Sequence, residues 1–184
     1  MEPGRSQTKL TYADYVAFPD DGLRHEIIDG EHYVTPSPVT RHQRILRDLL
    51  YLSETYLRRH PIGEILCAPF DVVLSNYDVV VPDLVYISKA RTQLITQKNL
   101  QGAPDLVIEI LSAGTRSRDR WLKRDLYERV GVQEYWVVDP DDDAVDIYRR
   151  AGETFAEPRR HTRGNIVRTP PLPDFELPVS KILG

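Results

Sequence analysis

The sequence contains a single cysteine and no long apolar segment. Cys67 is the only cysteine among 184 residues, so no internal disulfide can form and no cysteine-based zinc site is indicated. No apolar run approaches the roughly 18 residues needed to cross a bilayer, and residues 1–6 lack the apolar centre of a signal peptide. We therefore expect a cytoplasmic protein with no membrane contact.

The chain also lacks an excess of basic residues. Its formal net charge of -4 argues against a protein that coats nucleic acid non-specifically. Positive charge is concentrated locally, because six basic and three acidic residues lie between Arg116 and Arg129. Such a segment is usually a solvated helix face. The alternative is a surface that contacts phosphates, for which the candidates are Arg116, Arg118 and Arg120.

Length and patterning predict one mixed α/β domain. A chain of 184 residues with 41% hydrophobic residues suits a single domain, with a core at about 24–150 and a Pro-rich extension over 151–184. A short helix is expected after Thr11, which with Asp14 resembles a capping box. A hairpin is expected around Asp29-Gly30, followed by a helix that is capped by Thr40 and Gln43 and ends near His60-Pro61. Strands are expected at 64–74, where Pro69 suggests a bend or an edge position, and at 79–87 and 105–111. A helix from about 115 to Gly131 and strands at 135–138, 145–149 and about 165–169 complete the expected order. This is a mixed β-sheet flanked by helices, of the α+β or α/β class.

Glu109 is an acid in the middle of a segment that reads as a buried strand. Aliphatic residues flank it on both sides, and an ionised carboxylate is costly to bury unless a cation, hydrogen bonds or a metal compensates it. By itself, the residue could also lie at an exposed strand end or pair with an arginine. Asp105 precedes it by four residues, which is about 13 Å along a strand, and is therefore interpreted as structural.

Asp83 is the predicted partner of Glu109. If the strands at 79–87 and 105–111 are neighbours, both carboxylates can point to the same side at one end of the sheet. Two converging carboxylates repel each other unless a cation lies between them, and Mg²⁺ binds one or two carboxylates together with water and phosphate oxygens. The pair therefore predicts a site for a hard divalent ion such as Mg²⁺, which can activate water and neutralise charge on a phosphodiester in its transition state.

A lysine would complete such a site, but Leu111 stands two residues beyond Glu109. The following helix offers Lys123, which lies on one helix face with Asp119 and Tyr127 at four-residue spacing. We therefore interpret Lys123 as the cation of the site. A solvated lysine on an amphipathic helix is the alternative.

With these residues in this order, the sequence resembles the PD-(D/E)XK nuclease superfamily, and more narrowly the Uma-type family of restriction-endonuclease-like proteins. The resemblance covers roughly residues 10–150, and weakly the tail at 175–178 (FELP). The similar segments are those at 25–31 (HEIIDGE), 36–38 (PSP) with His42, 81–84 (VPDL), 103–112 (APDLVIEILS), 118–120 (RDR) with Lys123 and Tyr127, and 131–140 (GVQEYWVVDP). No single segment is specific, whereas their order is.

The resemblance implies a restriction-endonuclease-like fold and a divalent-metal-dependent DNA endonuclease. Asp83 and Glu109 would be metal ligands, Lys123 would replace the lysine that is missing at Leu111, and Glu26 would be a fourth catalytic residue. Further candidates are Asp71, which would face the site from the first core strand, and His42, near the start of the first long helix. A homodimer would suit the cutting of both strands of a duplex.

Two other functions stay open. The first is a catalytically weak nuclease-fold protein that binds DNA or acts as a regulator. The second is a phosphohydrolase of small nucleotides, which a closed pocket would favour and a long positive groove would oppose.

Overall fold

A seven-stranded mixed sheet forms the centre of the protein, which a computed structural model describes over residues 8–184. Six of its strands are, in spatial order, β11 (Thr154–Phe155), β10 (Ala144–Ala151), β9 (Glu134–Asp139), β8 (Leu106–Ile110), β6 (Leu84–Ser88) and β3 (Gly63–Cys67), and β12 (Arg159–Thr162) also pairs with β10. The central strands β8 and β9 are parallel and buried along their whole length. This burial agrees with their largely apolar sequence, in which Glu109 is the one acid inside a strand.

A five-stranded sheet carries the predicted hairpin. Its spatial order is β2 (Glu31–Thr35), β1 (Arg24–Ile28), β5 (Asp78–Val80), β4 (Val72–Ser75) and β7 (Leu100–Gln101). Asp29 and Gly30 at the tip of the hairpin have φ angles of 52° and 78°. Positive φ at both positions is what a type I′ turn requires. The prediction of this hairpin is confirmed.

In the described part of the chain, three α-helices flank the sheets: α1 (Tyr12–Val16), α2 (Thr40–Arg59) and α3 (Lys123–Val130). The capping box of Thr11 and Asp14 at α1 is confirmed, as is the end of α2 at His60. The predicted cap of α2 is wrong, because Val39 occupies the N-cap position and makes no side-chain hydrogen bond there. Short 3-10 helices lie at Lys89–Leu94 and Val179–Lys181, and a π-helical turn at Arg118–Leu122 leads into α3.

Two predicted strands are each divided into two. The segment 64–74 forms β3 and β4 in different sheets, and 79–87 forms β5 and β6 in the same two sheets. Pro69 and Pro82 lie in the gaps. Proline cannot donate a hydrogen bond to a strand ladder, so pairing ends there and the chain crosses between sheets.

The two faces of β8 belong to different apolar clusters. Leu106, Ile108 and Ile110 pack with residues of α2, while Val107 and Leu111 pack with Leu126 and Tyr127 of α3. Glu109 shares the second face, as strand alternation predicts. The carboxylate therefore faces α3 and the five-stranded sheet.

The C-terminal region adds a hairpin of β13 (Ile166–Thr169) and β14 (Leu172–Pro178). Val167, Leu177 and Leu183 are buried in the same cluster as the inner face of α2. The strand expected at 165–169 is confirmed, and the Pro-rich segment after it is itself a strand. Among the helices of the described region, none has the length and apolar character needed to span a membrane.

Candidate active site

Asp83 and Glu109 meet where β6 and β8 lie side by side. Leu84 pairs with Ile108 and Val85 with Val107 in an antiparallel register, so one further step places Asp83 opposite Glu109. Asp83 precedes β6 rather than lying inside it, because the strand begins only after Pro82. Both side chains line one small cavity. The predicted proximity of these strands is confirmed.

Glu109 is 4% exposed and held by two donors from the helix behind it. Its Oε1 accepts hydrogen bonds from Lys123 Nζ at 2.8 Å and from Tyr127 OH at 2.9 Å. Neither contact uses Oε2. Burial raises the pKa of Glu109 to about 8, because desolvation and the nearby acids Asp119, Asp83 and Glu26 outweigh the attraction of Lys123.

Asp83 is held by three groups from three different elements. Its Oδ2 accepts hydrogen bonds from the backbone N–H of Ile110 at 2.8 Å and bonds to His42 Nε2 at 3.0 Å. Its Oδ1 is 3.2 Å from Arg24 Nη1. Burial by itself would raise the pKa of Asp83, but these bonds, led by that of His42, lower it. Asp83 is therefore ionised at neutral pH.

Glu26 enters the site from β1 and is 1% exposed. Its Oε1 accepts from the backbone N–H of Val81 at 2.9 Å and is 2.8 Å from Lys123 Nζ. Its Oε2 is 3.3 Å from Arg118 Nη2. Burial opposes ionisation, but Lys123 and Arg118 lower the pKa of Glu26 below its usual value.

Lys123 is the buried cation at the centre of the site. Its Nζ lies 2.8 Å from Glu26 and Glu109 and 3.6 Å from Asp119. Burial would lower the pKa of Lys123, but the three carboxylates outweigh it and raise the pKa. The expected common face of Asp119, Lys123 and Tyr127 is thus observed, and it points inward rather than to solvent.

A π-helical turn presents this face. The N–H of Lys123 donates to the carbonyl of Arg118, five residues earlier, where an α-helix would use the fourth. Arg118 and Asp119 both line the cavity from this wider turn. The carbonyl of Asp119 accepts a hydrogen bond from Tyr135 OH at 2.7 Å, which anchors the turn to β9.

The site holds more acids than permanent cations. Four buried carboxylates face three cations, namely Glu26, Asp83, Glu109 and Asp119 against Arg24, Arg118 and Lys123. Burial is the main cause of the raised pKa of Glu109 and of Asp119, and repulsion from the neighbouring acids adds to it. An added cation would relieve it.

The donor set fits a magnesium-type ion. The cavity measures about 20 Å³, enough for a water or an ion. Within residues 8–184 no three His, Cys, Asp or Glu side chains are grouped to hold a metal by themselves. Mg²⁺ does not need such a cage, because one or two carboxylates with water and substrate phosphates suffice. Asp119 Oδ1 and His42 Nδ1 are buried with no hydrogen-bond partner in the described part of the chain, as expected where further ligands or water bind.

Asp71 does not belong to this cavity. The prediction placed it on the first core strand facing the site, but Pro69 ends that strand, and Asp71 lies in the segment that crosses to β4. Its Oδ1 accepts a hydrogen bond from Tyr15 OH at 2.9 Å beside a separate groove. Asp105, in contrast, is structural as expected, since it accepts bonds from Ser88 N–H and Arg91.

The predicted basic surface is largely paired with acids. Arg116 bonds to Asp139 and Asp141, and Arg120 bonds to Asp139 and Asp146. The sequence interpretation missed this because the acids lie 19 to 26 residues further along the chain. Arg118 differs, because it lines the cavity and contacts Glu26.

Sequence reasoning missed Arg24 and left Asp119 without a role. Arg24 lies two residues before Glu26 on β1, so strand alternation points both side chains to the same face. This two-residue spacing was the signal in the sequence that could have identified Arg24 as a site residue. The role of Asp119 depends on the π-helical turn, which has no clear signature in the sequence.

The architecture is that of a restriction-endonuclease-like protein: a mixed sheet with flanking helices, bearing two acids on adjacent strand ends and a lysine beside them. The solved structure of a "putative nuclease" of the DUF820 type from Anabaena variabilis is similar, with a TM-score of 0.80 over 95% of this chain and 97% of that one, at 19% identity. At that identity the likeness shows the fold.

The family follows from the sequence match. The model of the Uma2 family, described as "Putative restriction endonuclease", matches residues 12–180, and the chain belongs to this family. No protein of curated function matches the chain. The resemblance found in the sequence is thereby confirmed, and the match includes the tail at 175–178, where the resemblance was weak.

Proposed function

We propose that this protein is an endonuclease that hydrolyses DNA phosphodiester bonds and depends on Mg²⁺ or Mn²⁺. The observation that carries the proposal is the buried pair Asp83 and Glu109 on one cavity, with Lys123 held 2.8 Å from the second acid. Burial and three neighbouring acids raise the pKa of Glu109 to about 8, and a strongly shifted carboxylate that lines a cavity beside a specific charged partner is a candidate for a functional site. The family supports a nuclease in general terms.

Each side chain has a role in this proposal. Asp83 and Glu109 would hold the metal, which when bound activates water and offsets charge on the phosphate. Lys123 and Tyr127 occupy Oε1 of Glu109 and so turn Oε2 toward the cavity. His42 and Ile110 N–H fix the carboxylate of Asp83. Arg24 lies at the rim, 20% exposed, where a cation can bind the phosphate.

A binding protein without cleavage is the second candidate. Both oxygens of Asp83 are already engaged, by Arg24 on one side and by His42 and Ile110 on the other. The carboxylate of Asp83 must therefore release Arg24 before its Oδ1 can bind a metal. If that exchange does not occur, the protein would bind DNA without cutting it. A cytoplasmic location and a homodimer stay predictions from the sequence.

Plasmid nicking tests the proposal. Purified protein should convert supercoiled DNA to the nicked form with Mg²⁺ or Mn²⁺ and not with EDTA. Asp83→Asn and Glu109→Gln should each lower the rate at least 100-fold, because each removes a charged metal ligand while keeping the shape of the side chain.

Asp125→Asn is the matched control. Asp125 is on α3, two residues from Lys123, and its side chain is 64% exposed. This variant should cut at the wild-type rate. Nicking that survives both site substitutions would overturn the assignment of the site, and DNA binding without nicking under any metal would favour the second candidate.

A further inference from the structure

A groove of about 430 Å³ opens directly beside the cavity of acids. Arg24 and Val81 line both spaces and form their common wall. Arg24 bonds to Asp83 on the cavity side and borders the groove on the other. A ligand in the groove would therefore lie next to the phosphate at the proposed metal site.

Aromatic rings from α1 and the residues after it line this groove. Tyr12 and Tyr15 are stacked, with centroids 6.4 Å apart, and Phe18 lies 5.7 Å from Tyr15. All three are half-buried. The tyrosine hydroxyls are anchored, because Tyr15 donates to Asp71 and Tyr12 accepts from Asn99. The rings are thus fixed in place before any ligand arrives.

Charged groups lie around the rings. Arg24 and Lys98 supply positive charge at the wall and the edge of the groove. The ring centroids of His25 and Phe18 are 5.3 Å apart. The acids Asp20 and Asp71 also line the groove. Asp71 uses only Oδ1 for Tyr15, which leaves an acceptor that can receive a hydrogen bond from an exocyclic amino group.

Planar aromatic platforms with cations beside them are the chemistry that binds nucleobases of unpaired strands. Bases stack on tyrosine and phenylalanine without strong sequence preference, and arginine or lysine holds the connecting phosphates. A base inside a duplex cannot use such a platform, because both of its faces are stacked on neighbouring pairs. The groove volume also lies within the range of sites that take small planar ligands.

We propose that this aromatic groove, defined by Tyr12, Tyr15, Phe18, Arg24 and Lys98, binds an unpaired nucleotide of single-stranded DNA adjacent to the cleaved phosphate. The inference rests on the proposed function for the identity of the polymer. It assigns single strands, or duplexes with an unpaired nucleotide at the cut, as the preferred substrate class.

Anisotropy of a fluorescent 12-nucleotide single strand and of its duplex, both in EDTA, measures binding apart from cleavage. The wild-type protein should bind the single strand at least fivefold more tightly. Phe18→Leu keeps apolar bulk but removes the ring, and should weaken single-strand binding about fivefold or more with little effect on the duplex. Phe18→Trp restores a ring and should restore binding.

Two further variants complete the design. Lys98→Gln, on the exposed surface, should weaken single-strand binding and reduce its salt slope by about one, and it cannot fail through loss of the core. Tyr51→Leu removes a 68% exposed ring on α2, outside the groove, and should bind as the wild type does. Thermal melting of each variant verifies folding.

The outcomes separate the two proposals. If the wild type nicks DNA but Phe18→Leu and Lys98→Gln bind single strands normally, the groove assignment is overturned and the proposed function stands. If the wild type never cuts DNA, but both variants bind single strands more weakly than the wild type does, the proposed function fails and the groove assignment stands. A last arm adds free dTMP at the same nucleotide concentration as the oligonucleotide. If dTMP competes with the oligonucleotide, the groove binds a mononucleotide, and the assignment of a strand site is overturned.

Discussion

Glu109 shows how one residue couples stability to the site. In the unfolded chain its pKa is near 4.5, whereas burial and the surrounding acids raise it to about 8 in the folded protein. A group with a raised pKa in the folded state contributes stability that is complete below the unfolded pKa and is lost as the pH rises through the folded one. The metal-free protein should therefore lose stability between about pH 5 and pH 8.

Glu109→Gln tests this coupling, because an amide cannot ionise. In EDTA the variant should be more stable than the wild type at pH 8.5 by on the order of 1–3 kcal/mol, and the difference should vanish near pH 4.5. Urea unfolding at the two pH values measures it, with Asp125→Asn as the control. A variant that is less stable at pH 8.5 would show that the carboxylate is stabilising when ionised.

At the same scale, the sequence predicted the acids of the site better than their surroundings. Glu109 stood out because an acid in an apolar strand has a cost that something must offset, and Lys123 offsets part of it. Arg24 and Asp119 carried no comparable anomaly, since an arginine in a hairpin and an aspartate on a helix are ordinary. Their roles depend on the approach of β1 and on the π-helical turn.

Among the elements, the π-helical turn deserves a direct test. Its extra residue widens the helix so that Arg118 and Asp119 reach the cavity while Lys123 and Tyr127 reach Glu109. A regular α-helix would rotate the residues before the turn by about 100° relative to those after it. The arrangement of both halves on one cavity would then be lost.

Deleting Trp121 should convert the turn to a regular helix. Trp121 is 62% exposed, so removing it costs little apolar packing. The variant should keep its helical circular dichroism but lose at least tenfold in nicking rate. Trp121→Ala leaves the backbone register unchanged and should retain activity, and equal losses in both variants would show that the side chain matters rather than the turn.

Element types were predictable here and element boundaries less so. Periodicity located α2, α3 and the strands near 105–111 and 135–138. Pro69 indicated a bend or an edge position but not a change of sheet, and no break was predicted at Pro82, because apolar residues continue on both sides of each proline while hydrogen bonding does not. The cap of α2 failed for a similar reason, since the Thr40 and Gln43 pattern is local and the helix starts one residue earlier.

For the whole molecule, the C-terminal hairpin is part of the main core. Leu177 is fully buried in the cluster that also contains Leu49 of α2 and Ile108 of β8. No local pattern in the Pro-rich segment indicates this packing, because the contacts span more than 60 residues. The partition of strands between two sheets is hidden from the sequence for the same reason.

Leu177→Ala should lower the free energy of unfolding by about 2–5 kcal/mol, as for other leucines truncated in a core. Glu176 is the neighbouring residue, and its side chain is 53% exposed and pairs with Arg168. Glu176→Ala should change the free energy of unfolding by less than about 1 kcal/mol. Chemical denaturation compares the two. Similar small effects would mean that the hairpin is a peripheral addition.

The origin of Lys123 has a consequence for biosynthesis. Asp83 and Glu109 precede residue 110, whereas Lys123 lies on α3, which follows them in the chain. This helix and the turn before it are held against the sheet by the hydrogen bonds of Tyr127 and Tyr135. A nascent chain that has folded only as far as β8 carries acids without their lysine. The site is therefore complete only when the second half of the chain has been synthesised and packed, so partly made chains would lack the lysine beside the acids.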